Sequence, residues 1–353
     1  MCVAVLVAPL ALCALAAVAR AEPEKKPGPA PGTFTIENFK LESGATLPKA
    51  IVRYGTYGTL NAARDNAVLL PSHYMAQSDG YDWLIGDGRA LDPKKHFLIM
   101  TELFGNGRSS SPSNTPEPFH GPRFPVTTIR DNVEAVRRLL EDGLGIHHVK
   151  AVVGFSMGAE QAFQWAVSHP KFADKIVATA GTARCWPHGV VRLDGQIRAI
   201  TTDAAFKAGD YTEQPAGLRP AMGMLFLMTS APKVQHRTAP TRDKADSSIR
   251  AYLNSNVKSH DANDVLYAYD ASSNYDPSPN LEKITARVLA INSADDFVNP
   301  PELTLMDQLM PRVKKGKFIL LPITEQTRGH GTHSLPAIWK NYLGEFLQQL
   351  PPQ

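Results

Sequence analysis

The stretch from Lys150 to Pro170 reads KAVVGFSMGAEQAFQWAVSHP: an apolar run of strand length, a serine between two glycines, then a helical pattern. Within it, Gly154-Phe155-Ser156-Met157-Gly158 fits G-x-S-x-G in the strand-turn-helix context that this motif requires. A strand that passes into a helix in so few residues must turn sharply, and the glycines permit that turn. The turn lifts the serine hydroxyl beyond the carboxyl edge of a sheet. The helix that follows aims its first amides and the positive end of its dipole at any negative charge developing there. The bland alternative is that Ser156 only caps the helix.

The rest of the chain repeats the same alternation. Residues 34–41 and 48–57 flank ESGAT as a hairpin, and NAVLLPSHY and HFLIMTELFG are runs of buried-strand length. In TTIRDNVEAVRRLLEDG the apolar residues Ile129, Val133, Val136 and Leu140 recur at helical spacing, with a threonine cap before them and Gly143 after. Strand DKIVATAG, strand ARVLAINS, helix PELTLMDQL, strand GKFILLPI and helix SLPAIWKNYLGEFLQQL follow. Such alternation predicts an α/β fold with a mainly parallel sheet flanked by helices on both faces. The alternation stops at 184–281, where helix-like pieces and Pro- and Asp-rich turns predict a cap inserted into a core made of 34–183 and 282–350.

Residues 1–21, MCVAVLVAPLALCALAAVARA, are apolar and end in a small-x-small pattern, which predicts a secretory signal peptide cut after Ala21 and an exported, secreted or periplasmic protein. No lysine or arginine precedes the apolar run, so an uncleaved anchor is the alternative. A Pro-rich linker at 22–33 follows. Two of the three cysteines lie in the leader, leaving Cys185 alone and no internal disulfide. The 37 basic and 34 acidic residues of the 353 are interspersed, which favours neither nucleic acid nor an anionic membrane.

A serine hydroxyl needs a base to take its proton, and the base needs an acid to orient it. In this strand order they should follow as Asp and then His. Asp295 and Asp296 stand at the end of strand ARVLAINS; Asp296 is preferred because its step to Pro300 resembles the acid loop of α/β-hydrolases. His330 and His333 lie before the last helix. His330 follows a glycine and is preferred, with His333 as the fallback; a metal reading of the pair lacks an acidic partner. Backbone N–H groups of Met157 and Met75 are the candidates for holding an oxyanion. Arg108, in GNGRSSSP, is a candidate for a substrate carboxylate, with a solvated loop arginine, the commoner case, as the alternative.

The motifs YGTLNAARDNAVLLPSHYMA, LDPKKHFLIMTELFGNG, FPVTTIRDNVEAVRRLLEDGLGI, GFSMGAEQAFQWA, AITTDAAFKAGDY, GLRPAMG and DDFVNPPE together resemble the homoserine O-acetyltransferase branch of the α/β-hydrolase superfamily. The resemblance implies the α/β-hydrolase fold, a Ser156-Asp296-His330 triad, an oxyanion loop at SHYMA, a helical cap, and acyl transfer through an acyl-serine. Members of that branch pair through their caps, which leaves room for a homodimer. Two departures bear on activity: Gly331 stands where the acetyltransferases carry an aspartate for the substrate's amino group, and Ala159 replaces a glycine. An acyl-CoA donor is also not supplied outside the cytoplasm, whereas water is. The expected function is therefore an exported serine hydrolase acting on a small-molecule ester or another acyl compound without a cofactor. An acyl-CoA-dependent acyltransferase and a catalytically silent binding protein are the alternatives.

Overall fold

The computed structural model describes residues 28–349, so the leader at 1–21 and the first half of the linker, 22–27, lie outside the described residues. The eight strands form one sheet: β1 Ala30–Lys40, β2 Thr46–Tyr57, β3 Ala67–Pro71, β4 Phe97–Thr101, β5 Val149–Phe155, β6 Ala173–Thr179, β7 Arg287–Ser293 and β8 Gly316–Leu321. Their spatial order is β1-β2-β4-β3-β5-β6-β7-β8, with β1 and β2 antiparallel and every pair from β4 to β8 parallel. The expected hairpin is present but longer. Its first strand begins inside the segment read as linker, because Ala30, Pro31 and Gly32 pair with Thr56, Gly55 and Tyr54.

The central strands are apolar on both faces because both faces are covered. Leu69, Val152, Ile176 and Val288 point to one side, where they pack with Val133 and Val136 of α1 (Ile129–Arg138) and with Phe163 and Trp165 of α2 (Met157–Ser168). Their chain neighbours Leu70, Val153, Val177 and Leu289 point to the other side, toward Trp339, Leu343 and Phe346. Helix α1 starts where the sequence signals it: Thr128 and Asp131 make a reciprocal capping box.

Between β6 and β7 the chain builds the cap from α3 His188–Thr201, α4 Leu218–Thr229, α5 Pro232–Thr238, α6 Arg242–Ser259 and α7 Ala262–Asp270. Leu193, Ile200, Leu218, Met222, Val265 and Tyr269 give it a core of its own. The helix expected over PELTLMDQL is divided: a single 3-10 turn at Pro301–Leu303 stops at Thr304, whose φ of 48° is left-handed, and α8 is only Leu305–Leu309. Helix α9, Pro336–Gln348, closes the chain.

The junction of β5 and α2 is the tightest place in the fold. A Cβ on Gly154 would stand 1.9 Å from the carbonyl oxygen of Gly158. One on Gly158 would stand 2.4 Å from that of Pro71. The Tyr81 hydroxyl locks the same corner by donating to the Pro71 carbonyl at 2.7 Å and accepting from the Phe155 N–H at 2.9 Å. Below α9, His333 is fully buried between the rings of Phe155 and Trp339, with neither ring nitrogen hydrogen-bonded.

Two outcomes follow from this packing. Gly154→Ala forces two backbones apart and should cost on the order of 3 kcal/mol, read as a lower urea midpoint at unchanged m-value; an unshifted midpoint would contradict the packing argument. Burial pushes the His333 pKa down to about 3 from an ordinary 6.5. The unfolded chain therefore takes up a proton that the fold refuses, and stability that is complete above pH 6.5 is lost as pH falls toward 3, by on the order of 4 kcal/mol. His333→Leu should flatten the fall in urea midpoint between pH 6.5 and pH 4, whereas parallel curves would show that His333 contributes nothing to acid sensitivity.

Candidate active site

Ser156 sits alone between β5 and α2 with φ 55° and ψ −123°, a left-handed conformation unfavourable to a residue with a side chain. Its N–H is tied to the Thr179 carbonyl at 2.9 Å, and its own carbonyl accepts from Ala159 and Glu160 as the helix begins. The strain is held by backbone contacts on both sides of the turn, so the hydroxyl is presented in a fixed direction.

The structure brings the three residues of the preferred set together. His330 Nε2 lies 2.8 Å from Ser156 Oγ, and His330 Nδ1 lies 3.0 Å from Asp296 Oδ2 and 3.2 Å from Oδ1. Asp296 is buried and fully engaged, accepting also from the Val298 N–H at 2.8 Å and the Asn299 side chain at 3.1 Å. Burial alone would push this carboxyl up; the His330 charge and the hydrogen bonds from His330, Asn299 and Val298 outweigh it and hold the pKa below the usual range. Asp295 is occupied elsewhere, accepting from Ser293 Oγ at 2.6 Å. His333 stays in the core described above, so the arrangement uses His330.

Of the two amides considered for an oxyanion, that of Met157 is the first of α2 and that of Met75 belongs to a residue at φ 52° in the loop after β3. Neither donates to a protein acceptor among the described residues. The side chain of Tyr74, beside Met75, lines the cavity that holds Ser156 and His330.

Arg108 is a correction. Its guanidinium is committed to the buried Glu102, Nε to Oε2 at 3.0 Å, and to Gln77 at 3.1 Å, and it does not line the cavity. Glu102, nearly inaccessible, needs that partner. The arginine that does reach the cavity is Arg192 of α3, and with it stands Glu160, one turn along α2 from Ser156. Sequence reading passed over both. Glu160 carried a signal, as the only acidic residue in an otherwise apolar and amide-bearing helix; Arg192 carried none, because the cap's placement over the core is not written in local periodicity.

Cys185 behaves as a packing residue, its thiol pushed up to about 12 by burial. No group of three or more His, Cys, Asp or Glu side chains that could hold a metal ion occurs among the described residues. No described helix is long and apolar enough to cross a membrane.

Comparison with known proteins places the chain by its family and fold. A family model of the α/β hydrolase fold matches residues 79–319. An ethyl acetate hydrolase from Pseudomonas veronii is 42% identical over 189 residues, which span 52% of this chain and about half, 54%, of that protein. A homoserine O-acetyltransferase from Methanosalsum zhilinae is 30% identical over 354 aligned positions, covering 89% of this chain and 72% of the other. Among solved structures, an acetylester hydrolase from Corynebacterium glutamicum superposes with a TM-score of 0.83 at 26% identity, over 90% of this chain and 96% of its own. The chain belongs to the α/β-hydrolase family, in the branch of ester-cleaving and acyl-transferring enzymes that includes the homoserine O-acetyltransferases.

Proposed function

We propose that the chain is an exported serine ester hydrolase that cleaves small acyl esters, acetyl esters foremost, through Ser156, His330 and Asp296. The observation that carries this reading is the hydrogen-bonded chain from Ser156 Oγ to His330 Nε2 to Asp296, at 2.8 Å and 3.0 Å. Ser156 Oγ attacks the ester carbonyl carbon while its proton passes to His330 Nε2. The buried carboxylate of Asp296 keeps the other proton on Nδ1 and stabilises the imidazolium. The oxyanion of the tetrahedral intermediate takes hydrogen bonds from the amides of Met157 and Met75. Collapse breaks the bond to the alcohol oxygen, which leaves with the proton from His330. Water then repeats the sequence on the acyl-serine, giving up a proton to His330 and releasing the acid.

A short acyl group suits a cavity that is small, about 50 Å³, and lined by cap residues Leu193, Leu225 and Tyr269. The printed activities of the ethyl acetate and acetylester hydrolase relatives support the acetyl preference. Hydrolysis is favoured over transfer by Gly331, which offers no side chain to hold an acceptor's amino group. Export rests on the apolar leader, and an intact mass beginning at Glu22 is its test; an uncut chain would replace export with anchoring.

With p-nitrophenyl acetate, Ser156→Ala should lower turnover by at least about 10⁴-fold, and His330→Ala comparably. His333→Leu should keep the reaction, since that ring touches neither reacting atom. Loss with His333→Leu and survival with His330→Ala would assign the base to the wrong histidine. If an alcohol or homoserine captured the acyl group faster than water did, the enzyme would be a transferase.

A further inference from the structure

The cavity at Ser156 adjoins a second one, and the two share Glu160, Arg192, Val298 and Asn299. The second is lined further by Thr182, Cys185, Trp186 and His188. The shared waist thus contains one carboxyl group and one guanidinium, neither of which enters the serine chemistry. Glu160 Oε2 accepts from Ser272 Oγ at 2.5 Å, and the residue lines both cavities. Arg192 donates from one terminal nitrogen to Gln196 at 3.1 Å, and its Nε–H has no acceptor.

A carboxyl group and a guanidinium that line one waist select its ligand. A cation would meet Arg192, an anion would meet Glu160, and an alkyl group would offer a hydrogen bond to neither. A hydroxyl group, donor and acceptor at once, satisfies both. Glu160 follows Ser156 by four residues and lines the same cavity, and the acetyl group of the proposed substrates carries no hydroxyl. The portion of the substrate that reaches it is the alcohol. We propose that Glu160 is a specificity-determining residue that binds a hydroxyl on the alcohol portion of the ester, so that the preferred substrates are short acyl esters of a diol or polyol. This rests on the serine hydrolase reading. Burial pushes the Glu160 carboxyl up to about 7 against the opposing pull of Ser272 and Arg192, so pH 8 leaves it predominantly ionised and able to accept.

The experiment compares 2-hydroxyethyl acetate with its isostere propyl acetate at pH 8, each as kcat/KM. The wild-type chain should favour the hydroxy ester by about tenfold or more. Glu160→Leu should reduce that ratio to near one, and Glu160→Gln, which keeps an acceptor oxygen and the same volume, should restore part of it. A purely structural role, through the Ser272 contact to the cap, would lower both substrates together and leave the ratio unchanged; that result, or a wild-type ratio near one, overturns the proposal. p-Nitrophenyl acetate separates the two readings. Turnover with an unchanged ratio removes this inference alone, and absence of turnover on all three esters removes the serine hydrolase reading and this inference with it.

Discussion

Everything at the reactive end of this molecule depends on one backbone contact, the closure of α2 onto the end of β5 and the end of β3. Gly154 and Gly158 lie so close to backbone carbonyls that no side chain fits at either, and Tyr81 bonds across the same gap to Pro71 and Phe155. The contact leaves one residue to make the turn and forces it into a left-handed conformation. Ser156 is therefore strained by packing that is distributed over three strands and a helix, and relaxing it would mean giving up that packing.

The same closure orders the polar groups. Parallel strands end on one edge, so β5, β6 and β7 deliver Ser156, Ala180 and Asp296 to neighbouring positions, and the loop after β8 brings His330 above them. Asn299 links two of these ends by donating to both Ala180 and Asp296. A buried carboxylate would be costly alone; with four hydrogen-bonding contacts from His330, Val298 and Asn299 it stays ionised and holds the imidazole in place. His333, three residues away, shows the contrast. With no hydrogen-bond partner on either nitrogen and an aromatic surround, it is held neutral by burial despite the charges of Asp296 and Asp295, and serves as packing.

What could be read from the sequence divides along the distance over which the information acts. The elbow, the α1 cap and the alternating strands are local patterns, and the eight-stranded sheet agrees with them. The choice between Asp295 and Asp296 was legible only by analogy, although the physical difference is plain in the fold: Ser293 occupies one carboxylate and His330 the other. Arg108 was misread because its partner, Glu102, is buried by tertiary packing, and a buried carboxylate claims the nearest guanidinium. The break at Thr304 likewise has no local signature strong enough to divide an apolar helical pattern.

The cap was visible only as an interruption, yet it decides what the site can accept. Its core is built from residues spread between Leu193 and Tyr269. Arg192 is next to a core residue in sequence but faces the cavity instead. Glu160 is the core's counterpart to it, fixed on the same helix as the nucleophile and bound to Ser272 at the cap's far end. Reaction chemistry and selectivity are thus carried by different parts of the chain that meet at one helix. The elbow demands a fixed backbone, whereas the waist between the two cavities is made by the side chains of Glu160 and Arg192.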